Sequence, residues 1–475
     1  MKTLKEVLKL LNIDSNNENE VSGISSDSRK VRNGFIFVAL NGLHNKGSKY
    51  IKNAFENGAI AVFNEEIEGE NIYKVENLKE KISELGKFIY ELDFDKFKVI
   101  GITGTNGKTT TTSLIHKSLL NKNINASLIG TNGVFYNNEH HETNNTTPNL
   151  LEIYEIFYES KQRNIDTIIM EVSSHAIAQE RIKNIKFDII GFTNISHDHL
   201  DFHKTIENYA KSKYKLVDYL KKDGTIIYNA DDEWFGEKFS FAGFNSIGFG
   251  INKGTQRIEN IRLTNNKSYF FIQKNYFESS LTCQFNVYNL ALAYLCLLKI
   301  GLKYSQIKDC FLKVKSIDGR MQKIEINNRF IYIDFAHSPD SIEKVLSFVK
   351  PLNKRKMIVI FGAGGDRDKT KRPKMLDVCS KYCDKIYVTS DNPRYEEPKK
   401  IIDDIVKNKM SYKINVFLSR EDAIKDAFKY SNEFDTILLL GKGNEQYQII
   451  NDIKIPYSDN EVINRCLLNS EDSFI

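Results

Sequence analysis

The segment from Gly101 to Thr110, GITGTNGKTT, constrains this chain more than any other. It lies between Phe97–Ile100, an apolar run that predicts a buried strand, and Thr111–Ile115, which predicts a helix. A glycine-rich turn between a strand and a helix directs several backbone N–H groups toward one point, and the helix N-terminus adds partial positive charge there. This arrangement suits a polyphosphate, so the sequence predicts a phosphate-binding loop.

The predicted loop is a variant of the common P-loop, because Ile102 stands where a glycine is usual. Lys108 can reach the β- and γ-phosphates, and Thr109 can hold Mg²⁺ through its hydroxyl. We therefore predict that the chain binds ATP through the loop residues, which are Gly104, Thr105, Asn106, Gly107, Lys108, Thr109 and Thr110.

Length and composition indicate a globular protein of several domains. The 475 residues suggest about three domains, and hydrophobic and charged contents of 41% and 27% are typical of packed domains. The net charge of +5 is too small to favour nucleic acid or a membrane surface as a partner. The N-terminal segment predicts a surface helix and not a signal peptide, and the longest apolar run, Leu290–Leu298, is too short to span a bilayer. We expect a monomer.

The six cysteines include no Cys-x-x-Cys pair. Such scatter is typical of a reducing compartment, so we expect a cytoplasmic protein. Cys379 and Cys383 lie one helical turn apart and could be two metal ligands. Without a companion pair, two buried apolar side chains are the favoured interpretation.

Strands and helices alternate along most of the chain, which predicts an α/β fold with mostly parallel sheets. We predict three domains, at residues 1–94, 95–316 and 317–475. Residues 245–285 are expected to be richer in strand, and Val287–Ile300 to be a helix. The predicted strands include residues 35–40, 59–63, 167–172, 189–194, 225–228, 330–334, 357–361, 385–389 and 436–440.

Polar side chains follow several of these strands, at the sheet edge where α/β proteins bind ligands. Glu171 ends a strand and can complete a Mg²⁺ shell beside a phosphate loop. The segment His197–His203 is rich in histidine and aspartate. Zinc is one interpretation, but no partner group completes a tetrahedral set. A second Mg²⁺ with one histidine ligand fits a phosphate site better.

Two further loops follow strands of the third predicted domain. Gly362–Asp368 is glycine-rich, a weak signal by itself. Asp391–Arg394, with sequence DNPR, combines a carboxylate and a guanidinium. Such a pair can grip a zwitterion, with Asp for an ammonium and Arg for a carboxylate. A capped loop with a local ion pair is the alternative.

These motifs together resemble the Mur ligase family of the peptidoglycan pathway, and within it the members that add the third residue of the stem peptide. The matching segments occur in order through the chain and are Ser26–Arg29, Thr103–Thr110, Asn145–Pro148, Glu171–His175, His197–Asp201, Phe285–Asn289, Asp318–Met321, Asp334–His337, Gly364–Asp368, Asp391–Arg394 and Gly441–Glu445.

The resemblance implies a UDP-binding N-terminal domain, a central ATPase and a Rossmann-like C-terminal domain. It implies that ATP phosphorylates the D-glutamyl carboxylate of UDP-N-acetylmuramoyl-L-alanyl-D-glutamate. The amine of the incoming amino acid then attacks the acyl phosphate and releases phosphate. Such a reaction belongs to cell-wall precursor synthesis, which supports cell shape and cell division.

The resemblance also implies roles for individual residues. Lys108, Glu171, His199 and Lys213 would be catalytic; Thr109, Glu171 and His199 would bind two Mg²⁺ ions, with Lys213 as a CO₂-derived carbamate. Asn286, Arg320 and Asp334 would lie near the adenosine of ATP. The UDP-substrate contacts would be Ser28, Thr146, Thr147, Ser173, Gln179 and Arg181. The pocket for the amino acid would contain Arg367, Asp391, Asn392, Pro393, Arg394, Gly441 and Glu445.

Arg394 favours meso-diaminopimelate as the amino acid added, because a guanidinium attracts its distal carboxylate and repels the bare ammonium of lysine. Meso-lanthionine, which carries the same two ends, and L-lysine remain alternatives. More distant alternatives are a folylpolyglutamate synthetase-like ligase and a P-loop regulator that ligates nothing. Three positions depart from the family pattern: Asn444 replaces histidine, Phe335 replaces tyrosine and Cys283 replaces glycine.

Overall fold

The computed structural model describes residues 2–471 except residues 43–45, 327, 354, 408, 410 and 452. The chain divides into two compact units, each formed by separate stretches of sequence. The first unit comprises Met1–Gly101, Ile124–Asp188 and Lys215–Gly224, and the second comprises Ile102–Asn123, Ile189–Tyr214 and Thr225–Ile475.

The secondary structure alternates between helix and strand, as predicted. The elements before residue 95 are β1 (Lys2–Thr3), α1 (Leu4–Leu10), β2 (Glu20–Val21), β3 (Gly23–Ser25), β4 (Phe35–Val38), α2 (Ile51–Glu56), β5 (Ala59–Asn64), β6 (Ile72–Lys74) and α3 (Leu78–Ile89). Short 3₁₀ turns occur at Ser28–Lys30, Gly47–Tyr50, Phe94–Lys96, Lys215–Tyr219, Lys350–Leu352 and Lys369–Lys371, and a π turn at Trp234–Lys238.

The middle of the chain contains both parallel and antiparallel strands. Its elements are β7 (Lys98–Thr103), α4 (Lys108–Leu120), β8 (Ala126–Gly130), β9 (Gly133–Tyr136), β10 (Glu139–His141), α5 (Leu150–Gln162), β11 (Thr167–Glu171), α6 (Ser174–Ala178), β12 (Phe187–Phe192), α7 (Leu200–His203), α8 (Ile206–Tyr214), β13 (Leu220–Asn229), β14 (Ser246–Gly250), β15 (Gln256–Leu263), β16 (Ser268–Ile272), β17 (Asn275–Ser279), α9 (Gln284–Ile300) and α10 (Tyr304–Lys313).

The remaining elements form the C-terminal α/β region. They are β18 (Gln322–Ile326), β19 (Arg329–Asp334), α11 (Pro339–Val349), β20 (Met357–Phe361), α12 (Arg372–Tyr382), β21 (Lys385–Val388), α13 (Pro398–Val406), β22 (Ile414–Val416), α14 (Arg420–Tyr430), β23 (Thr436–Leu440), β24 (Tyr447–Ile450), β25 (Ile453–Pro456) and α15 (Asp459–Glu471).

The first unit contains a four-stranded parallel sheet of order β3-β4-β5-β6. Phe35, Phe37 and Val62 of this sheet pack against Ile51 and Ala54 of α2, which explains why these apolar runs form buried strands. In the same unit β11 lies parallel to β8, while β8, β9 and β10 form an antiparallel meander.

The second unit contains the C-terminal sheet, of order β18-β19-β23-β20-β21-β22, in which only β18 is antiparallel to its neighbour. Alternate residues of β20 face opposite cores: Val359 and Phe361 pack in one cluster, and Ile358 and Ile360 in the other. Helices cover both faces, so continuous apolar runs form its strands. In the same unit β13, β14 and β15 are parallel, and β15, β16 and β17 are antiparallel, which confirms the strand-rich prediction for this region.

Two helices begin earlier than predicted. Helix α4 begins at Lys108 and not at Thr111, because Gly107, with φ +91°, closes the loop and its carbonyl accepts from the Thr111 N–H at 3.0 Å. Helix α9 begins at Gln284, directly after Cys283 with φ 79°. Among the described residues, no helix is both long enough and apolar enough to cross a membrane.

Candidate functional site

The phosphate-loop segment has the tight geometry that its glycines predict. Gly104 has φ +145°, and a Cβ there would lie 1.8 Å from Thr193 Oγ1. A Cβ at Gly107 would lie 2.3 Å from Asn289 Oδ1, again at positive φ. Both positions therefore require glycine, since any side chain would be strained and would clash. The loop is closed further by the Thr105 N–H, which donates to the carbonyl of Asn194 at 2.7 Å.

Lys108 and Thr109 begin helix α4 at the end of this loop. The Lys108 ammonium donates to the carbonyls of Gly104 and Thr105, at 2.7 and 2.8 Å, so it lies over the loop. Arg320 Nη2 donates to Thr109 Oγ1 at 2.9 Å. A guanidinium therefore lies against the hydroxyl predicted to bind a cation.

A cavity of about 470 Å³ opens beside the loop within the second unit. Its lining includes six of the predicted ATP contacts: Asn106, Gly107, Thr110, Asn286, Arg320 and Asp334. The carboxylate of Asp334 is fixed by the Met321 and Ala336 N–H groups at 2.7 and 2.8 Å. The ring of Phe335 also lines the cavity and lies 4.4 Å from the Arg320 guanidinium. The structure thus brings segments that are far apart in sequence to one cavity of nucleotide size.

Lys213 lies on helix α8 and is 1% exposed. Its ammonium is 4.6 Å from the ring centroid of Tyr209, whose hydroxyl donates to Thr105 Oγ1 at 3.2 Å. Burial and the nearby charge of Lys108 lower the pKa of Lys213 well below its usual value, against the opposite effect of Asp198. The amine therefore tends toward its neutral, nucleophilic form.

Asp198 lies at the centre of a cluster with histidines and a lysine. Its Oδ2 is 3.5 Å from His199 Nε2 and 3.8 Å from His337 Nε2, and its Oδ1 is 3.9 Å from Lys371 Nζ. Burial would raise the pKa of Asp198, but these three neighbours hold it well below its usual range. Within the part of the chain that the structure describes, no group of three or more His, Cys, Asp or Glu side chains could hold a metal ion.

Glu171 belongs to the first unit and is 1% exposed at the end of β11. Its carboxylate accepts from the Thr131 N–H at 2.8 Å and from the Thr131 hydroxyl at 3.2 Å. That hydroxyl lies 3.0 Å from Thr146 Oγ1. A Cβ at Gly130 would come within 2.3 Å of Glu171 Oε1, so the glycine makes room for the carboxylate.

The predicted UDP-substrate residues also lie in the first unit. Thr147 Oγ1 donates to the Glu171 carbonyl at 2.8 Å and accepts from the Ser173 N–H at 3.0 Å. Arg181 Nη1 donates to the Thr147 carbonyl at 2.8 Å, and its Nε donates to Gln179 at 3.0 Å. Gln179 and Arg181 line a cavity of about 280 Å³, whereas Ser28 is buried at the start of a 3₁₀ turn.

The backbone of the Asp391–Arg394 loop is fixed by strand β24. The Arg394 N–H donates to the Ile449 carbonyl at 3.0 Å, and the Arg394 carbonyl accepts from Asn451 at 2.8 Å. Asn392 Oδ1 accepts from the Ile449 N–H at 3.0 Å. Arg394 has φ 52°, a left-handed conformation uncommon for this residue type, and these bonds hold it there.

The side chain of Arg394 lies beside the Gly364–Asp368 loop. Its Nη1 donates to the Gly365 carbonyl at 2.9 Å. A Cβ at Gly364 would lie 2.8 Å from Arg394 Nη1, so the glycine leaves room for this guanidinium, while Arg367 Cγ at 3.7 Å would be in ordinary contact. A Cβ at Gly365 would lie 1.9 Å from the Pro393 carbonyl. Burial and the charge of Arg367 lower the pKa of Arg394, while Asp391, Glu445 and Asp366 act in the opposite direction.

A buried polar network joins this loop to the turn after β23. Gly441, with φ +108°, allows close approach, since a Cβ there would lie 2.6 Å from Asp391 Oδ2. Asn392 Nδ2 donates to Glu445 Oε2 at 2.8 Å. Lys442 donates to the same oxygen at 2.8 Å and is 0% exposed.

Sequence reasoning named the motif containing Lys442 but assigned no role to that residue. It also missed the pair of Arg372 and Glu396, in which two nitrogens of the guanidinium donate to the carboxylate at 3.0 and 2.9 Å. Glu396 also accepts from the Asp366 N–H at 2.6 Å, so the pair holds the glycine-rich loop. The position of Lys442 between two glycines was the sequence signal that could have identified it as a site residue. No local sequence pattern identifies Arg372 or Glu396.

Comparison with known protein families shows that three models of one family match successive parts of this chain. The model of the Mur ligase family catalytic domain matches residues 20–89, that of the Mur ligase middle domain matches residues 102–297, and that of the Mur ligase glutamate ligase domain matches residues 319–443. The chain belongs to the Mur ligase family, and the three-domain α/β fold expected from the sequence is confirmed. It is an ATP-dependent, amide-forming ligase.

Individual relatives cover almost the whole chain. A UDP-N-acetylmuramoyl-L-alanyl-D-glutamate–2,6-diaminopimelate ligase from Clostridium acetobutylicum is 35% identical over 94% of each chain. The protein of the same name from Aquifex aeolicus is 37% identical, again over 94% of each chain. A solved structure of a ligase with this name is 27% identical and covers 99% of this chain and 100% of its own, with a TM-score of 0.64.

Proposed function

We propose that this chain adds meso-diaminopimelate to the D-glutamyl carboxylate of UDP-N-acetylmuramoyl-L-alanyl-D-glutamate, with conversion of ATP to ADP and phosphate. The observation that carries the choice of amino acid is that Arg367, Asp391 and Glu445 all lie close enough to Arg394 for their charges to act on it. Two guanidinium groups beside two carboxylates complement an amino-acid end that bears both a carboxylate and an ammonium. The names of the relatives at 35% and 37% identity support the same substrates.

The nucleotide half of the reaction is assigned to the cavity beside the phosphate loop. A carboxylate is a poor acyl donor because oxide is a poor leaving group, and transfer of the γ-phosphoryl group replaces it with phosphate. Lys108 moves from its two loop carbonyls to the phosphates and offsets the negative charge that develops there. The amine then attacks the acyl carbon, the bond to phosphate breaks, and the amine loses a proton.

The residues predicted to bind Mg²⁺ fit that ion by their chemistry. Thr109, Glu171 and His199 offer a hydroxyl, a carboxylate and an imidazole, and Mg²⁺ is commonly held by one or two protein groups together with substrate phosphates. The guanidinium of Arg320 donates to Thr109 Oγ1, so it would have to leave this oxygen for Mg²⁺ to bind there. When bound, Mg²⁺ would neutralise charge on the phosphoryl oxygens.

Lys213 is proposed to carry a carbamate. Only a neutral amine attacks CO₂, with formation of an N–C bond and release of a proton to water, and burial beside Lys108 favours that neutral form. The product is an anion, which removes the repulsion between two neighbouring cations. This charge reversal is the physical argument for the modification.

The domain limits are proposed as residues 1–94, 95–316 and 317–475, with the protein monomeric and cytoplasmic. The reaction needs only UDP-muramoyl-dipeptide, ATP and a diamino acid, so no nucleic acid or membrane partner is required. Limited proteolysis and light scattering would measure the domain limits and the mass in solution.

One assay tests the proposal directly. The protein is incubated with ATP, Mg²⁺, UDP-muramoyl-dipeptide and one amino acid at a time, and the product is identified by its mass. We expect a diaminopimelate adduct together with ADP. Preferred lysine addition would contradict the assignment of the pocket. Folate-dependent glutamate addition, or ATP hydrolysis indifferent to the UDP substrate, would contradict the reaction itself.

A further inference from the structure

Lys442 is a buried cation to which the proposed reaction assigns no task. Its side chain is 0% exposed, and its ammonium donates to Glu445 Oε2 at 2.8 Å and to Asn392 Oδ1 at 3.1 Å. Asp391 Oδ1 lies 4.0 Å away. A buried ammonium is costly unless paired and hydrogen-bonded. The pocket therefore holds this charge for a reason beyond packing, because an apolar side chain would fill the same space at lower cost.

These contacts fix the orientation of the Asn392 side chain. Its Oδ1 accepts from Lys442 and from the Ile449 N–H, while its Nδ2 donates to Glu445 Oε2 at 2.8 Å. A flipped amide would place its NH₂ group against the ammonium. Asn392 and Lys442 both donate to Oε2 of the Glu445 carboxylate, which leaves Oε1 as the oxygen that faces a ligand.

Removal of the Lys442 ammonium would change the net charge of the groups around it. Asp391, Glu445 and Asp366 are negative, whereas Lys442, Arg394 and Arg367 are positive. Burial would raise the pKa of Asp391, but Lys442 is the strongest of the neighbours that lower it, so Lys442 keeps this carboxylate ionised. With Lys442 in place the charges of the two signs balance, which suits an amino-acid end that carries both a carboxylate and an ammonium. Without Lys442 the group has an excess negative charge, which favours a bare ammonium.

We propose that Lys442 is a positioning residue that sets the amino-acid specificity of this ligase. It orients Asn392 and Glu445, and its charge makes the pocket select an amino-acid end with both a carboxylate and an ammonium over a bare ammonium. This inference rests on the proposed function, because it concerns the pocket assigned there to diaminopimelate.

The test compares Lys442→Met with a matched control. Lys425 forms an ion pair of the same 2.8 Å length with Glu421, but its side chain is 51% exposed, so Lys425→Met removes a comparable pair outside the pocket. Steady-state constants are measured for ATP, diaminopimelate and lysine. For Lys442→Met we expect the KM for diaminopimelate to rise about tenfold, the ATP KM to change less than about threefold, and the diaminopimelate-to-lysine ratio of kcat/KM to fall about tenfold. Lys425→Met should leave all three unchanged.

A double-mutant cycle with Glu445→Gln separates positioning from general structure. If Lys442 acts by orienting Glu445, the two effects on the KM for diaminopimelate should be strongly non-additive. A merely structural role predicts additive effects and equal losses for both amino acids. A folded Lys442→Met enzyme with wild-type selectivity would overturn the inference, as would additivity.

Lys442→Arg tests the inference if the Lys442→Met variant does not fold. It keeps the charge and the donors, so the preference for diaminopimelate should stay within about threefold of the wild type. A folded arginine variant that prefers lysine would overturn the inference. A wild-type enzyme that ligates no amino acid contradicts the proposed function and this inference with it. If the wild type adds diaminopimelate but Lys442→Met keeps its selectivity, only the inference is contradicted.

Discussion

The phosphate loop and the proposed amino-acid pocket, both in the second unit, bring polar groups close together in different ways. The loop after β7 uses backbone carbonyls and glycines that are neighbours in sequence, such as Gly104 and Gly107. The proposed amino-acid pocket uses side chains from three separate loops of the C-terminal sheet, which follow β20, β21 and β23. Asn392 and Lys442, for example, are 50 residues apart. The turn of the phosphate loop is therefore formed by adjacent residues, although Thr193, Asn194 and Asn289 pack against it, whereas the proposed pocket exists only when the sheet is assembled.

This difference has an energetic consequence. The loop presents neutral peptide groups and a single cation, Lys108, to its ligand. It therefore needs no array of carboxylates to offset buried positive charge. The proposed pocket combines charges of both signs, of which Asp391 and Lys442 are buried, so removal of one buried charge would leave the other without its partner. Substitutions in the loop should therefore affect mainly chemistry, while substitutions in the pocket should affect both selectivity and stability.

The largest expected effect tests the claim that substitutions in the phosphate loop affect mainly chemistry. Lys108→Ala removes the mobile cation, so acyl-phosphate formation should be lost, with kcat lower by about 10³-fold. Binding of the UDP substrate should survive, because its predicted contacts lie in the first unit. ADP release in single-turnover assays measures the loss. Lys117→Ala, on the same helix with its ammonium 3.2 Å from the Ser316 carbonyl, is the control and should stay near wild type. Retained ligation by Lys108→Ala would refute the phosphate-loop assignment.

The second prediction concerns charge reversal at Lys213. Lys213→Ala should lower kcat on the order of 10²-fold while the fold is kept, since an anion near the phosphates is removed. Formate or acetate should restore part of the activity by filling the anionic position. The exposed Lys211 on the same helix provides the control, and Lys211→Ala should need no rescue. Full activity in the unrescued Lys213 variant would remove the carbamate from the mechanism.

The contrast between the two regions also explains what could be predicted from sequence. Strands β20 and β23 were predicted to the residue, because each is an uninterrupted apolar run between polar turns. The phosphate loop was predicted because its function depends on adjacent residues. The starts of helices α4 and α9 were wrong by three residues, since the last loop residue in each, Gly107 or Cys283, adopts a positive φ that no hydrophobic pattern reveals.

For the proposed amino-acid pocket, the sequence suggested a chemistry but did not show which contacts hold its loops. A carboxylate and a guanidinium in the Asp391–Arg394 loop suggested a zwitterion. The partners that hold this loop, Lys442 and strand β24, come from distant turns, and the Arg372–Glu396 pair spans 24 residues. Local sequence carries no information about such pairings. For the same reason the roles of the individual pocket residues stay predictions.

The third prediction tests the pocket half of the comparison. Each charge-assisted hydrogen bond to a carboxylate contributes about 1.5–3 kcal/mol, and each tenfold change in affinity corresponds to about 1.4 kcal/mol. Arg394→Ala should therefore raise the KM for diaminopimelate by about ten- to a hundredfold, with little effect on the KM for ATP. The ratio of kcat/KM for diaminopimelate to kcat/KM for lysine should fall. Arg465→Ala, which breaks an exposed pair with Glu421, is the control.

Competition among diaminopimelate, meso-lanthionine and lysine at equal concentration measures the same selection in the wild-type enzyme. Lanthionine has the same distal carboxylate and ammonium, so Arg394 should accept it as well as diaminopimelate. Lysine as the preferred product would contradict the interpretation of the Asp391–Arg394 loop.

The smallest expected effect is on stability and sharpens the claim that the pocket depends on paired charges. The hydrogen bonds from Arg372 lower the pKa of Glu396 to about 2 from its ordinary 4.5. The ionised carboxylate therefore stabilises the fold fully above pH 4.5, and the contribution is lost as the pH falls from 4.5 toward 2. Glu396→Gln should lower the free energy of unfolding by about 2 kcal/mol at neutral pH, a value reduced for partial exposure.

Urea unfolding of the wild type and the variant at a series of pH values measures this contribution. The difference between the two proteins should be constant above pH 4.5 and should shrink as the pH falls below it, because protonation of Glu396 makes the wild type resemble the amide. Glu343→Gln, at a pair with Lys381 in which both side chains are more exposed, should show a much smaller difference at every pH. The difference in free energy of unfolding between the wild type and Glu396→Gln could instead be independent of pH. In that case packing and not charge holds the loops, and the claim that this region depends on paired charges is wrong.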